Sequence, residues 1–434
     1  MRTRLVVLCV LAIAACGRND LAAPAGARAM PASTDAQPAT LHVVPLHDFT
    51  LGESFIGNSG GSAGLVGDPS TGLFGVAPAG GDLKCQDGNK GCGFIYELVP
   101  QSTGNSYQEK RLYEFHGKSG QDGAQPSATL FIGERGTGVL YGTTVYGGEQ
   151  GKGTVFRITP TVTPYVYKER VLYSFGATRG DGQYPYASLI EIQRVLYGTT
   201  SAGGAHNEGI AFSLSVTGTA PQKLHDFGGG NDGATPYAGL SDVNGTLYGT
   251  TNAGGSSNCG TVFSLGTSGS ERVVYSFLGS PNDGCNPGGS GVVELGGVLY
   301  GTTSAGGKHN NCHCGTIYSL NESGIENVLH SFPGGGDPVA SLIAANGVLY
   351  GTALYGGAKC SVSTKQGCGI VFSLAPPAQY QVQFTFTGTR AGGGAAPAAP
   401  LLASGADFYG TSSRGSTRDH GEAFKLEQSL LTRK

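Results

Sequence analysis

Tryptophan is absent from this chain of 434 residues, and methionine occurs only twice. Charged side chains make up 13% of the composition, with no basic cluster, which argues against a nucleic-acid partner. Helix-type periodicity is scarce beyond the first twenty residues, so a mainly helical domain is excluded. The apolar run Leu5 to Ile13 is too short for a membrane-spanning helix, which needs roughly 18 residues or more. No nucleophile elbow, zinc-protease helix or phosphate loop is present. No residue is therefore assigned as catalytic or as a metal ligand, and no cofactor is expected.

What fills the chain is glycine, 76 residues of it, together with Tyr, Phe, Val and Thr arranged in a repeat. The stretch Val139-Leu140-Tyr141-Gly142-Thr143-Thr144 is followed by Gly147-Gly148 and Gly153-Thr154-Val155-Phe156. Its glycine recurs at Gly75, Gly142, Gly198, Gly249, Gly301, Gly351 and Gly410, at intervals of 67, 56, 51, 52, 50 and 59 residues. A period near 50 residues signals one repeat architecture in place of several ordinary domains.

Each unit divides into four strand candidates separated by Gly, Asn, Pro or Asp. In the third unit these are Tyr186 to Ile190, Val195 to Thr200, Gly209 to Leu214 and Lys223 to Phe227. Consecutive apolar residues such as Val195, Leu196 and Tyr197 suit a strand covered on both faces, as in blades packed around an axis. The repeated glycine is expected to avoid the adjacent blade or to mark a sharp bend. The fourth-strand motif occurs seven times and begins at Leu46-His47-Asp48-Phe49, before any second-strand motif, whereas the last unit ends without one. The expected fold is all-β: a seven-bladed propeller over residues 41–427, closed by the N-terminal strand completing the last blade.

Arg2 and Arg4 precede the apolar run, and Ile13-Ala14-Ala15-Cys16 resembles the bacterial lipoprotein cleavage box. The expected organisation is a signal peptide at 1–15, a lipidated Cys16 with a flexible Ala/Pro/Ser/Thr linker at 16–40, the propeller, and a tail at 428–434. After cleavage 25 basic residues face 30 acidic ones, a net charge of −5. Gly17 in place of Asp points, by resemblance to lipoprotein sorting rules, to the outer membrane or cell surface.

The pattern Leu-Tyr-Gly-Thr-Thr, Gly-Gly, Gly-Thr-Val-Phe-Ser-Leu, Tyr-Ser-Phe and Asp-Gly resembles the GloVer tandem repeat of bacterial "choice-of-anchor" surface proteins. Residues 244–283 and 297–332 are its best matches here, and the resemblance extends over 41–427. The first unit departs from it with Leu73-Phe74-Gly75-Val76-Ala77, and the seventh lacks the Gly-Gly pair. Kelch repeats are a looser likeness, since their tryptophan is missing. The resemblance implies an exported, anchored repeat protein and names no chemistry.

Cys9 leaves with the signal and Cys16 is assigned to lipid, so eight cysteines remain in an exported chain, where disulfides form. Cys85 with Cys92 and Cys360 with Cys368 are expected to staple loops between second and third strands. Cys259 with Cys285 is the third expected pair, at one end of the fourth blade. The alternative bonds Cys285 to Cys312, in the run Cys312-His313-Cys314 near His309. A zinc site there lacks a second ligand pair at recognised spacing.

The loops after the second and fourth strands should share one face, which then collects the Gly-Gly loops and Asp-Gly at Asp122, Asp181, Asp232 and Asp283, with Asp337-Pro338 in a similar place. Such carboxylates can bind cations or sugar hydroxyls around the axis, or stabilise turns through backbone amides. His47, His225 and His330 replace tyrosine in the fourth-strand motif and read as blade positions. His206, His309, His313 and His420 fall in the loops, and His206 and His309 join the five aspartates as candidate ligand-binding residues. The expected function is a lipid-anchored, monomeric surface scaffold with a polysaccharide or protein ligand. The alternative is an exported carbohydrate hydrolase or lyase using the loop His and Asp residues.

Overall fold

The computed structural model describes residues 41–49, 63–85, 91–102, 106–133, 137–289, 291–308, 314–357, 367–389, 393–417 and 419–428. Cys16, His309, Cys312, His313 and Cys360 lie outside them. The fold is all-β: among the described residues the helical content is a single 3-10 turn at Gly117–Gly120, and seven sheets of four main strands follow one another as the blades of a propeller. No helix among the described residues is long and apolar enough to cross a membrane.

In the third blade, Ile190–Ile192, Val195–Thr200, Ile210–Ser215 and Gln222–Asp226 pair antiparallel in that order. The inner strand is shorter than the expected Tyr186 to Ile190: pairing starts at Ile190, and the residues before it line the axis instead. In the seventh blade Leu402–Ser404, Asp407–Ser412 and Glu422–Gln428 are joined by Leu41–Asp48, whose register runs from Leu41 opposite Gln428 to Asp48 opposite Glu422.

Each position of the Leu-Tyr-Gly-Thr-Thr motif has a separate physical task. Leu196 and its counterparts Leu140, Leu247 and Leu349 are fully buried. The glycine faces the third-strand aromatic of its own blade: Gly198 pairs with Phe212, and a β-carbon on it would lie 2.9 Å from that ring and 2.8 Å from Leu189. The expectation that this glycine avoids the neighbouring blade is thus corrected, because the close approach is across two strands of one sheet. The ring lying over the glycine then reaches the preceding blade. Phe212 meets Phe175 with ring centroids 5.2 Å apart, Phe263 meets Phe227 at 5.1 Å, and Phe424 meets Phe386 at 5.2 Å.

The first threonine donates its hydroxyl to the next unit's inner segment, Thr199 to the Ala238 carbonyl at 3.2 Å and Thr352 to that of Ala399 at 3.2 Å. Thr411 does the same to Ala63 at 3.3 Å, from the last blade to the first. The second threonine, as in Thr200 to Ala202 at 2.9 Å, ties down the loop that follows.

Buried side chains fall into seven clusters, each lying between two blades. One of them packs Leu46, Phe49, Tyr409 and Ala423 against Leu65, Leu73, Phe94 and Tyr96 of the first blade. Seven blades in an open row would have one interface fewer than blades, so the packing is that of a ring.

Candidate functional site

The Asp-Gly turns and the Gly-Gly loops meet on one face as short antiparallel pairs: Gly182–Gln183 with Ala202–Gly203, Gly233–Ala234 with Ala253–Gly254, and Gly284–Cys285 with Ala305–Gly306. Positive φ at Gly203 and Gly204, 81° and 80°, is what lets the loop turn back against Asp181, whose carbonyl accepts from the Gly204 N–H at 2.8 Å.

The aspartate carboxylates are engaged by the fold. Asp122 accepts from the Tyr113 hydroxyl at 2.7 Å and from the His116 N–H at 2.9 Å. Asp181 accepts from Tyr173 at 2.9 Å and from the Gly176 N–H at 2.8 Å. Asp283 accepts from Tyr275 at 2.9 Å and from the amides of Leu278 and Gly284, both at 2.6 Å. Asp232 shares a hydrogen bond of 3.1 Å with His225 and accepts from the amides of Gly228 and Gly233.

Asp337 is not the fifth member of this set. It has φ of 47° and stands immediately before Pro338, in the register of Gln125, Tyr184, Thr235, Asn286 and Ala396, each at positive φ before a proline. The N–H of this residue donates to the preceding unit's loop: Asp337 to the Cys314 carbonyl, Asn286 to Cys259, Ala396 to Cys368 and Gln125 to Cys92. These cysteines therefore hold one repeat position, just before the glycine that opens the third strand. The expected bonds Cys85–Cys92 and Cys259–Cys285 are present, the second spanning the clasp between fourth and fifth units. Cys314 and Cys368 are also disulfide-bonded. The expected pairing of Cys368 with Cys360 falls outside the described residues.

On the axis lies a cavity of about 300 Å³. Six of the seven units contribute to its wall, which carries no charged side chain. Small residues such as Ala128, Ala187, Ala238, Gly239 and Ala340 allow the inner segments to converge, and Ser127, Ser188, Ser304, Ser341 and Asn252 supply polar groups. Tyr186 and Tyr237 stand in it edge to face, with ring centroids 5.2 Å apart. None of Asp122, Asp181, Asp232, Asp283, Asp337 and His206 is part of this wall.

A second recurrent arrangement sits toward the outside, where the fourth-strand Tyr or His and the turn Asp of one unit meet a glutamate of the next. Burial, then the charge of Asp122, pushes Glu169 up to about 8. Burial and Asp283 push Glu326 up to about 7. A carboxyl whose folded pKa is raised favours the folded state at low pH, and this contribution fades as the pH climbs through its folded value. Stability is therefore expected to fall between about pH 5 and pH 8. Glu169→Gln, neutral throughout, should flatten part of that fall in a series of urea denaturations; an unchanged slope would refute it. His330 has no such carboxylate: it stacks on Tyr380 at 3.7 Å, and burial holds it down at about 4.

At the seam of the third and fourth units the same place is filled by His225, Asp232 and Glu271. His225, expected to be an ordinary blade position, thus joins one of the predicted aspartates. His206, the described loop histidine of the candidate set, is exposed beside Gly228.

The profile of the Gloeobacter/Verrucomicrobia repeat matches residues 83–314. No curated protein matches the sequence. Among solved structures, puromycin hydrolase is similar with a TM-score of 0.50 at 12% identity, covering 85% of this chain and 52% of its own, so the chain spans about half of that protein. An oligogalacturonate lyase in complex with manganese has a TM-score of 0.49 at 11% identity, covering 90% of this chain and 91% of its own. A luciferin-regenerating enzyme has a TM-score of 0.41 at 11% identity, with 89% and 95% covered. Identities this low speak for the fold alone.

Proposed function

The chain belongs to the Gloeobacter/Verrucomicrobia repeat family, and from that premise we propose that it is an exported, lipid-anchored propeller that binds a neutral, hydroxyl-rich ligand, a polysaccharide segment, at its axial cavity. The observation that supports this reading is the chemistry of the wall: two tyrosines, serines and an asparagine among small apolar residues, with no charge. Aromatic faces cover the apolar side of a sugar ring while hydroxyls and amides orient it. A volume of about 300 Å³ lies at the lower end of small-molecule pockets, which suits a sugar unit and not a folded partner. The same wall holds no acid or base to move a proton, which favours binding over hydrolysis or elimination. Disulfides such as Cys85–Cys92 and Cys259–Cys285 support an oxidising compartment, and the box ending at Cys16 supports a lipid anchor in the outer membrane.

The test is a glycan array with the full chain, followed by calorimetry with the strongest neutral glycan. Tyr186→Ala and Tyr237→Ala should each weaken binding by roughly ten-fold or more, as expected for aromatic anchors. A failure of every neutral glycan to bind, or binding by both variants as tight as that of the native chain, would sink the axial reading. Mass spectrometry of the mature N-terminus tests the anchor, and an unacylated terminus beyond Cys16 would remove it.

A further inference from the structure

The outer seam between the third and fourth units gathers an imidazole and two carboxylates, whereas His47 at another seam has Glu109 at 3.2 Å and His330 stacks on Tyr380. At the first and fourth units the place is held by a tyrosine hydroxyl, Tyr113 beside Asp122 and Tyr275 beside Asp283. A phenol at neutral pH is a poor ligand. At the third unit an imidazole stands there, between two carboxylates from separate units, and the described residues hold no other such group of three. His225 Nε2 lies 3.1 Å from Asp232 Oδ2 and 4.0 Å from Glu271 Oε2, and one ligand atom from each residue falls within 4.8 Å of the others.

We propose that His225, Asp232 and Glu271 bind one divalent transition-metal cation, zinc in the first instance. Imidazole and carboxylate donors suit zinc at about 2.0–2.2 Å, which puts neighbouring donor atoms of a tetrahedron about 3.4 Å apart. The His225–Asp232 pair, at 3.1 Å, has to open by about 0.3 Å, and Glu271 has to close by roughly 1 Å, both within the reach of a side-chain adjustment.

Three further observations point the same way. The other carboxylate oxygen of Glu271, Oε1, is buried without a hydrogen-bond partner, as are Glu169 Oε1 and Glu326 Oε1 at the tyrosine seams, and here that open acceptor stands beside an imidazole and a second carboxylate. Asp232 is fixed by the amides of Gly228 and Gly233, at 2.9 and 2.7 Å, in the manner of supporting contacts that orient a ligand. Gly228 also keeps an opening between Asp232 and the loop histidine. A β-carbon there would lie 3.6 Å from Asp232 Oδ2 and 3.7 Å from the His206 ring, so the two groups face each other across the space a larger residue would fill. Asp226 adds a further negative charge near His225, offset by Lys223, with which it pairs. The site is distinct from the axial cavity and stands without the carbohydrate reading.

Calorimetric titration of the full chain with zinc chloride at neutral pH, after treatment with a chelator, tests the proposal. One equivalent should bind and should raise the urea midpoint. His225→Tyr introduces the residue found here in the first, second and fourth units, Tyr113, Tyr173 and Tyr275, so the fold is retained; it should weaken zinc binding by roughly ten-fold or more, and Glu271→Gln should do likewise. No saturable binding by the native chain, or zinc binding unchanged in His225→Tyr, would overturn the site.

Discussion

Deleting residues 41–49 is expected to lower stability by at least about 5 kcal/mol, enough to leave much of the chain aggregated or only partly folded. The segment is the outer strand of the last sheet, paired along Glu422–Gln428. It carries Leu41, Leu46 and Phe49, which are 4%, 5% and 1% exposed. Truncating one buried Leu or Phe commonly costs about 2–5 kcal/mol, and here several go together with a whole ladder of backbone bonds. The deletion also leaves the strand Glu422–Gln428 as an open edge bearing the now uncovered Leu426, the kind of edge that pairs with other chains. Size-exclusion chromatography and urea denaturation check this. A truncated chain that stays monodisperse with the native midpoint would show that the segment is an accessory.

Phe227→Ala should cost about 3–5 kcal/mol, read as a fall in the urea midpoint at constant slope. Phe227 is fully buried at the seam of the third and fourth units, against Phe263 and 4.8 Å from the His225 ring. Phe263 cannot swing into the cavity, because its ring is held over Gly249 and beneath Leu240. The hole therefore stays open, and its full cost is felt. Leu278→Ala serves as the comparison, since that side chain is 60% exposed and little should change. Equal midpoint shifts for the two variants would refute the role given to the buried ring.

The strand Val195–Thr200 appears in the structure with the limits read from the chain, because period, β-branched content and flanking turn residues all agree there. The seven-bladed ring was legible for a related reason: counting two motifs separately exposes the unmatched first and last strands. What escaped is what depends on register. Gly198 gives no hint that its neighbour is Phe212 of the same sheet until the strands are aligned. Asp337-Pro338 looks like another Asp turn, yet only five residues separate Phe332 from Pro338, against nine between Phe277 and Pro287, so Asp337 falls in the place of Asn286. The axial cavity is built largely of Ala, Ser and Gly, residue types that occur everywhere in this composition and mark nothing singly. His225 and Glu271 lie in different units, so their meeting belongs to the packing of blades and not to any local pattern.

Because the chain's first strand sits in its last sheet, the stretch that repeats in the sequence and the sheet that folds are out of step by one strand. A copying event that inserts one whole repeat, glycine to equivalent glycine, delivers a complete new sheet while the two chain ends keep meeting in the same place. Gain or loss of a copy would then change the bore of the ring without requiring a new joint. Rings of different size could arise from one parent with every intermediate still able to join its ends.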